Sequence, residues 1–599
     1  MKRFIVGALA VIGAMSVLAV MGLFLLIMAA AASKPSVPGN LVLELDLQNP
    51  LPEQVAEDSL AGAFGQKETT VRDVLDALEK GAKDDRVKAL LVRVGQPGSV
   101  ATIQELRDAV KAFRASGKKT IAYADTFGEI SNATGAYYLA TAFDEIYIQP
   151  SGDVNLTGLM FETPFARDAF AKLGVQPRIG QRYEYKNAVN TYTEQGFTAP
   201  HREAMEKLIG SIYGQMVNGI AEGRKLTPDE VKGLIDQAPL LGQAALEAKL
   251  VDGLLYRDEI LEKVKQVAGE RSKLLFVDKY LERAGRPNTE GDSTIALVYG
   301  VGGINRGKSE SNPLSGDQVF GGDSVALALR KATDDEKVKA IVFRVDSPGG
   351  SYVASDTVRR EVQRAREKGK PVIVSMGTYA ASGGYFVSMD ADKIVAQPGT
   401  ITGSIGVFGG KMVTAEFWSK LGVNWESLAL GKNANMYGTD QDFSPEQLAK
   451  NEAMLDRIYA DFTGKAAKGR NLPLEQLQAV AKGRVWTGED ALANKLVDEL
   501  GGFPKALELA KDAAKLPKDA EVRVQVFPRK KQAAEVFAEL LGGGGGDNSE
   551  DEANAATSML SPLSPVLAQT RALYQLGEQL GLIRSQSATL RAPVPDTRF

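Results

Sequence analysis

The sequence has no cysteine and one histidine, His201, among its 599 residues. The absence of cysteine excludes disulfide bonds and thiolate metal sites, and one histidine is too few for the usual zinc site. A Ser-His-Asp triad or a Cys-His pair is equally hard to build from this composition. An excess of basic residues is missing too: 71 Lys and Arg against 75 Asp and Glu give a net charge of −4. We therefore expect no metal, no other cofactor and no nucleic-acid partner.

A long apolar segment lies near the N-terminus. Phe4 to Ala32 spans 29 residues without a charge, and Lys2 and Arg3 precede it. About 20 apolar residues cross a bilayer, whereas the core of a cleaved signal peptide has about 7–15. The sequence predicts an uncleaved, single-pass anchor with a cytoplasmic N-terminus and the remaining chain outside. A cleaved signal peptide is the alternative, because Ala29–Ala32 offers small residues for cleavage. The lack of cysteine suits an oxidising compartment.

One block of sequence occurs twice. Asp-Asp-Arg-Val-Lys-Ala at Asp84 matches Asp-Glu-Lys-Val-Lys-Ala at Asp335, and Lys-Leu-Gly-Val recurs at Lys172 and Lys420. A period of this length indicates duplication of a whole domain. We predict four regions, listed by residue number: 1–39, N-terminus and anchor; 40–285, first copy; 286–516, second copy; 517–599, a C-terminal extension with a Gly-rich linker.

Each copy alternates short apolar runs with helical stretches. In the second copy, Ala340–Val345, Val372–Met376 and Lys393–Ala396 are typical of strands, and Ser355–Lys368 is typical of a helix. This alternation predicts an α/β fold with a largely parallel sheet. The charged stretch Glu259–Asn288 is interpreted as a helical connector between the copies.

Three glycine-rich turns of the second copy follow predicted strands. They are Asp346–Gly350, Ala381–Gly384 and Thr402–Gly406. Ligand sites of such sheets gather at strand ends, and glycine lets backbone N–H groups approach a substrate and stabilise an oxyanion. Taken singly, each turn could equally serve tight packing or phosphate binding.

The first copy keeps the pattern of turns after predicted strands but lacks the serine and one of the glycines. It has Thr134 where the second copy has Ser382, and Ala136 where the second copy has a glycine. This division makes Ser382 the lead candidate for a nucleophile.

A lysine is the expected proton acceptor for Ser382, and burial must lower its pKa from about 10.4 so that it is neutral at working pH. Two lysines compete. Lys186 has aromatic neighbours that could desolvate it, and Lys432 lies at the matching place of the second copy. The residues alone favour Lys186 only mildly. The hydroxyl of Ser404 could orient the amine.

The three turns lie within longer motifs: Asp-Ser-Pro-Gly-Gly-Ser, Met-Gly-Thr-Tyr-Ala-Ala-Ser-Gly-Gly-Tyr and Ile-Thr-Gly-Ser-Ile-Gly. In this order they resemble the signal peptide peptidase (SppA, or protease IV) family in its long, duplicated bacterial form. The resemblance extends to about Leu516. It implies two ClpP/crotonase-like domains and a serine endopeptidase with a Ser/Lys dyad.

Carried over residue by residue, the resemblance implies Ser382 as nucleophile and Lys186 as general base, with Ser404 hydrogen-bonded to the lysine. The N–H groups of Gly383 and of the turn Gly349–Gly350 match the oxyanion hole.

The resemblance further implies a periplasmic catalytic body on an inner-membrane anchor, and a bowl-shaped homotetramer. Its expected substrates are cleaved signal peptides and other short apolar peptides. Two alternatives are a crotonase-type acyl-CoA enzyme, which gives no reason for an anchor, and an inactive membrane-associated scaffold. The intact motifs argue against the scaffold.

Overall fold

The first half of the chain builds one parallel sheet. The computed structural model describes residues 35–55, 68–311, 318–528 and 589–591. The strands described before residue 286 are β1 (Leu41–Leu47), β2 (Val87–Val94), β3 (Lys119–Ala124), β4 (Glu145–Ile148), β5 (Asp153–Val154), β6 (Gln176–Arg182), β7 (Leu240–Leu241), β8 (Gly253–Leu254) and β9 (Lys273–Phe276). Six of them pair in parallel in the order β9–β1–β2–β3–β4–β8.

Helices cover this sheet. Those described in the first half are Val71–Lys83, Val100–Ala115, Thr134–Ala140, Arg167–Leu173, the 3-10 turn Asn187–Val189, Asn190–Thr193, Ala199–Arg224, Pro228–Gln237, Gly242–Glu247, Arg257–Ala268 and Val277–Ala284.

The second half repeats the order of the first sheet in six of the eight strands of its own sheet. Its described strands are β10 (Ser293–Val301), β11 (Gly303–Asn305), β12 (Glu310–Ser311), β13 (Gln318–Gly321), β14 (Val338–Ser347), β15 (Gly349–Ser351), β16 (Val372–Ala381), β17 (Lys393–Ala396), β18 (Ile401–Gly403), β19 (Val407–Val413), β20 (Val485–Thr487), β21 (Glu499–Leu500), β22 (Val522–Phe527) and β23 (Thr589–Arg591). The parallel order β22–β10–β14–β16–β17–β21 reproduces the order of the first sheet.

The helices of this half are Gly322–Asp334, Tyr352–Glu367, Gly383–Ser388, Ala415–Lys420, Pro445–Gly469, Leu474–Val480, Gly488–Ala493 and Phe503–Ala513. Even an irregularity of strand register recurs, between Leu41 and Val42 in the first sheet and between Thr294 and Ile295 in the second. The predicted α/β class and duplication are confirmed. The finer likeness to ClpP/crotonase-like folds stays a prediction.

A third sheet joins the two halves. Its order is β12–β13–β11–β15–β23–β19–β6. Strand β6 belongs to the first half, yet it pairs antiparallel with β19 of the second half along its whole length, from Gln176 opposite Val413 to Arg182 opposite Val407. This pairing delivers the residues that follow β6 to the carboxyl ends of the second parallel sheet.

The prediction that Glu259–Asn288 is largely helical is confirmed, but the prediction that it is a connector between the copies is wrong. The structure places β9 inside it, flanked by two helices, and pairs β9 in parallel with β1 at the edge of the first sheet. An edge strand is only partly buried, so a short Lys-Leu-Leu-Phe run among charged residues does not stand out from its composition. Strand β22 occupies the same edge of the second sheet, which therefore continues past residue 516.

No helix in the described ranges is long and apolar enough to cross a membrane. The predicted anchor, Phe4–Ala32, lies outside those ranges, as does the Gly-rich linker of the C-terminal extension.

Candidate active site

Ser382 occupies a sharp turn between strand β16 and the helix Gly383–Ser388. Its φ of 56° lies in the left-handed region that non-glycine residues seldom adopt, and its side chain is fully buried. The surrounding backbone holds this conformation: the Ser382 N–H donates to Gly403 O (2.8 Å), and its carbonyl accepts from Phe386 N (2.9 Å). Such local strain persists where the surroundings fix it, and it concentrates at functional sites.

Lys186 follows β6 and is completely buried. Its Nζ lies 2.9 Å from Ser382 Oγ, 2.9 Å from Ser404 Oγ and 3.0 Å from Ser404 O. Burial lowers the pKa of Lys186 well below its ordinary value. A neutral amine has two N–H donors and one lone pair. It can donate to both Ser404 oxygens and accept the Ser382 hydroxyl proton.

Ser404 presents two oxygens to the amine because its backbone also adopts a left-handed conformation. Its φ is 51°, and its N–H donates to Arg484 O at 2.7 Å. The turn that follows β18 is thereby tied to the segment before β20. The sequence singled out Ser404 for its hydroxyl; its carbonyl is an additional acceptor.

The glycines of the first two turns meet beside Ser382. A β-carbon on Gly383 would lie 3.0 Å from the Gly350 nitrogen and 3.1 Å from Gly349 Cα. Gly383 is the first residue of its helix, where an N–H has no intrahelical acceptor. The N–H of Gly349 is used differently, since it donates to Ser347 Oγ at 3.2 Å. The arrangement places the Gly350 nitrogen beside Gly383, the residue that follows Ser382.

Lys432 is not at this site. Its side chain is exposed, and its carbonyl accepts from Gln447 Nε2 at 3.4 Å. His201 is buried against Phe165 and Phe197, and its Nδ1 lies 3.2 Å from Asn190 Nδ2. Burial lowers the pKa of His201 to about 4, so this imidazole is neutral at physiological pH.

Thr134 is the first-copy equivalent of Ser382, and no lysine amine from the described residues contacts its hydroxyl. Thr134 Oγ1 donates to Asn132 Oδ1 (2.7 Å) and lies 3.0 Å from Gly158 O. The hydroxyl therefore holds the local backbone together.

The sequence did not predict that the segment around Lys482 fixes the backbone next to Lys186. The carbonyl of Lys482 accepts from Tyr183 N (3.1 Å) and Tyr185 N (3.2 Å). Nothing in the local sequence around Lys482 signals this contact, because its partners are almost 300 positions away.

The chain belongs to peptidase family S49, whose sequence profile matches residues 112–271 and 364–517, one region in each copy. It is 32% identical over 496 residues to Protease 4 of Haemophilus influenzae, covering 78% of this chain and 77% of that protein. It is 31% identical over 497 residues to Protease 4 of Salmonella typhi, covering 79% and 78%. It is also 32% identical over 461 residues to the chloroplastic serine protease SPPA of Arabidopsis thaliana, covering 75% and 66%.

The chain is accordingly a serine protease, and the resemblance to the protease IV family indicated by its motifs is confirmed. Membership of a peptidase family favours this activity over the alternative of an acyl-CoA enzyme.

Proposed function

We propose that the chain is an endopeptidase in which Ser382 is the nucleophile and Lys186 the general base. The observation that carries the proposal is the 2.9 Å contact between Lys186 Nζ and Ser382 Oγ in a fully buried environment. A general base must lie within hydrogen-bond reach of the proton that it removes, and it must be unprotonated at working pH. Burial lowers the pKa of Lys186 well below its ordinary value, which favours the second condition.

In the proposed reaction, Ser382 Oγ bonds to the scissile carbonyl carbon while its proton passes to Lys186 Nζ. The carbonyl electrons move to oxygen, and the N–H groups of Gly350 and Gly383 donate to that oxyanion. Losing one such donor typically costs about 2.7–4 kcal/mol of transition-state stabilisation. The C–N bond then breaks, and Lys186 returns the proton to the leaving amine.

Water completes the cycle on the resulting ester. Lys186 takes a proton from water, and the hydroxide oxygen bonds to the acyl carbon. The ester C–O bond then breaks, and Lys186 returns the proton to Ser382 Oγ, which restores the hydroxyl and the neutral amine. Throughout, the two oxygens of Ser404 hold the amine in place and stabilise its protonated form.

The proposed substrates are cleaved signal peptides and other short apolar peptides. This assignment is supported by the resemblance of the three motifs to the signal peptide peptidase family. The segment Phe4–Ala32 would anchor the enzyme in the inner membrane, with its catalytic body in the periplasm, and so keep it beside peptides left in the bilayer.

Labelling with a fluorophosphonate and hydrolysis of a synthetic signal peptide test the dyad. We expect wild-type protein to be labelled and active, Ser382→Ala to be neither, and Lys186→Met to lose turnover. Lys432→Met is the matched control, because this lysine is exposed and should be dispensable. Labelling that persists in Ser382→Ala, or equal activity losses in the two lysine variants, would overturn the assignment.

We also propose a homo-oligomer, of four copies by the family resemblance, that is closed by head-to-tail contacts. Strands β6 and β19 pair within one chain. Shifting by the 248 residues that separate Lys172 from Lys420, the counterpart of β6 is 424–430 and that of β19 is 159–165. Neither segment forms a strand in the described structure.

Both unpaired segments expose apolar side chains. Leu428 and Leu430 are fully exposed in one segment, and Met160 is largely exposed in the other. If 424–430 of one copy pairs with 159–165 of the next, the internal contact is repeated between chains. A heterologous contact of this kind forms a ring when the rotation from copy to copy closes.

Sedimentation of the full chain in detergent tests this assembly. We expect the double variant Leu428→Glu/Leu430→Glu to lower the mass to that of a monomer, while Leu474→Glu, at an exposed leucine elsewhere in the second copy, leaves it unchanged. An unchanged mass in the double variant would exclude this contact.

A further inference from the structure

A short stretch of backbone, 482–484, is bonded to two parts of the proposed site. The carbonyl of Lys482 accepts from two N–H groups of the segment before Lys186. On the other side of the stretch, the carbonyl of Arg484 accepts from Ser404 N at 2.7 Å. The position of this stretch therefore sets how far the lysine amine lies from the two serine oxygens that hold it.

The side chain of Arg484 contacts two aromatic rings beside this stretch. Its Cζ lies 4.3 Å from the ring centroid of Trp486 and 5.0 Å from that of Tyr185. A guanidinium is attracted to the faces of such rings. Tyr185 directly precedes Lys186, and a β-carbon built on Gly403 would lie 2.9 Å from Trp486 Cδ1. The two contacts therefore join the residue before the proposed base to the turn that supplies its acceptors.

A carboxylate of the first copy orients this guanidinium. Arg484 Nη2 lies 2.7 Å from Glu203 Oε1, and Nη1 lies 3.0 Å from Oε2. Two parallel bonds of this kind fix the plane of the guanidinium as well as its position. Arg484 Nε is buried and has no hydrogen-bond partner among the described residues. The orientation of Arg484 therefore depends on the two rings and on a residue of the other copy.

These contacts lie beside a desolvated amine. Arg484 and Tyr185 are partly exposed, whereas Lys186, the residue next to Tyr185, is completely buried. Burial is the cause of the lowered pKa of Lys186. If the ring of Tyr185 and the guanidinium separate, water gains access to the amine, and the pKa of Lys186 moves back toward its ordinary value.

We propose that Arg484 is a positioning residue of the cleavage reaction. Its side chain holds Tyr185 against strand β20 and the stretch 482–484, and so keeps the Lys186 amine dry and in contact with Ser404. Arg484 acts through these neighbours and not on the substrate. This role rests on the proposed function of Lys186 as the general base.

Hydrolysis of a synthetic signal peptide by the full chain, measured as a function of pH, tests the proposal. Arg484→Met keeps an apolar side chain against the rings and removes the two parallel bonds. We expect kcat to fall at least about tenfold while KM stays within about twofold of wild type. We also expect the rising limb of kcat/KM to move to higher pH by at least about half a unit, because a hydrated amine is harder to deprotonate.

Two further variants separate the position of the guanidinium from its charge. Arg484→Lys keeps the positive charge but has no planar group for the rings and the carboxylate, so it should show the same changes as Arg484→Met. Glu203→Gln removes the charge of a half-exposed partner and should move the limb in the same direction by a smaller amount. If Arg484→Met does not fold, these two variants decide the question.

Arg224→Met is the matched control. Arg224 forms the same two-bond contact with Asp252, at 3.0 Å to each oxygen. It belongs to the helix Ala199–Arg224, which also contains Glu203, but it lies about 30 Å away at about 1.5 Å per residue. Loss of this pair should leave the rising limb in place, whatever its effect on the urea midpoint.

A rising limb that does not move in any of the three site variants would overturn the proposal, whatever happens to kcat. A higher KM with an unchanged kcat would also overturn it, because Arg484 would then contact the substrate. Wild-type behaviour of Arg484→Lys would assign the effect to charge and reject positioning. Failure of the proposed dyad is recognised separately, as turnover that persists in Lys186→Met.

Discussion

Gly483 lies directly against Lys186. A β-carbon at Gly483 would fall 2.6 Å from both the backbone nitrogen and Cβ of Lys186, and the φ of Gly483 is 85°. Only glycine tolerates both this approach and this conformation without strain. A residue of the second copy thus fixes the backbone from which the lysine of the first copy reaches Ser382.

Gly483→Ala should therefore displace the proposed base. A misplacement of about 1 Å can cost about 10²-fold in rate, and we expect a loss of that order in kcat for peptide hydrolysis. Gly464→Ala is the control, because the added carbon would meet no described atom within 4 Å outside its own stretch of the helix Pro445–Gly469. Full activity in Gly483→Ala would mean that the position of Lys186 is not critical.

The rate of peptide hydrolysis should rise with pH as the Lys186 amine loses its proton. Because burial lowers the pKa of Lys186 well below 10.5, the rising limb of kcat/KM should lie well below pH 10. A profile that rises only near pH 10 would contradict a desolvated base.

Replacing Lys186 should stabilise the protein. Its folded-state pKa is lowered, so protonation of the amine favours the unfolded chain, and this opposes folding until the pH passes the unfolded value. Lys186→Met should thus have a higher free energy of unfolding at pH 7 than wild type, with a smaller difference near pH 10. Urea denaturation at both pH values measures this, and a less stable variant at pH 7 would contradict it.

A buried arginine connects the two copies. Arg344 of β14 pairs with Glu105 of the first copy (2.7 Å) and with Glu53 (2.6 Å). Removing one partner from a buried ionic cluster typically costs about 3–5 kcal/mol, and we expect this loss in Arg344→Met. Arg360→Met, which removes an exposed pair with Glu367, should leave the urea midpoint unchanged. Similar midpoints in both variants would show that the cluster does not hold the copies together.

Asp346 should make stability depend on pH. Burial and the nearby negative charge of Glu53 raise the pKa of Asp346 to about 7. A raised pKa stabilises the fold below the unfolded value of about 3.9, and this contribution is lost as the pH rises through 7. Asp346→Asn, which can still accept from Tyr379 N, should flatten the dependence of unfolding free energy between pH 4 and 7. An unchanged slope would assign that dependence to other groups.

The sequence predicted those parts of the site that are formed by residues close together in the chain. The turns around Gly350, Ser382 and Ser404 follow strands recognisable from short apolar runs, and comparing the copies singled out the serine. The choice of Lys186 over Lys432 was open because it depends on the β6–β19 pairing, whose partners are more than 200 positions apart. The contact of Gly483 with Lys186 could not be predicted for the same reason, because the two residues are almost 300 positions apart.

The division of the proposed dyad between the copies would set the moment at which activity can arise during synthesis. Protein domains form from the N-terminus while the ribosome is still adding residues. A nascent chain that contains Lys186 but ends before Ser382 has the proposed base and lacks the proposed nucleophile, and the acceptors at Ser404 come later still. Peptide cleavage by the proposed dyad would therefore begin only after more than about two thirds of the polypeptide has been translated and its second copy has docked on the first.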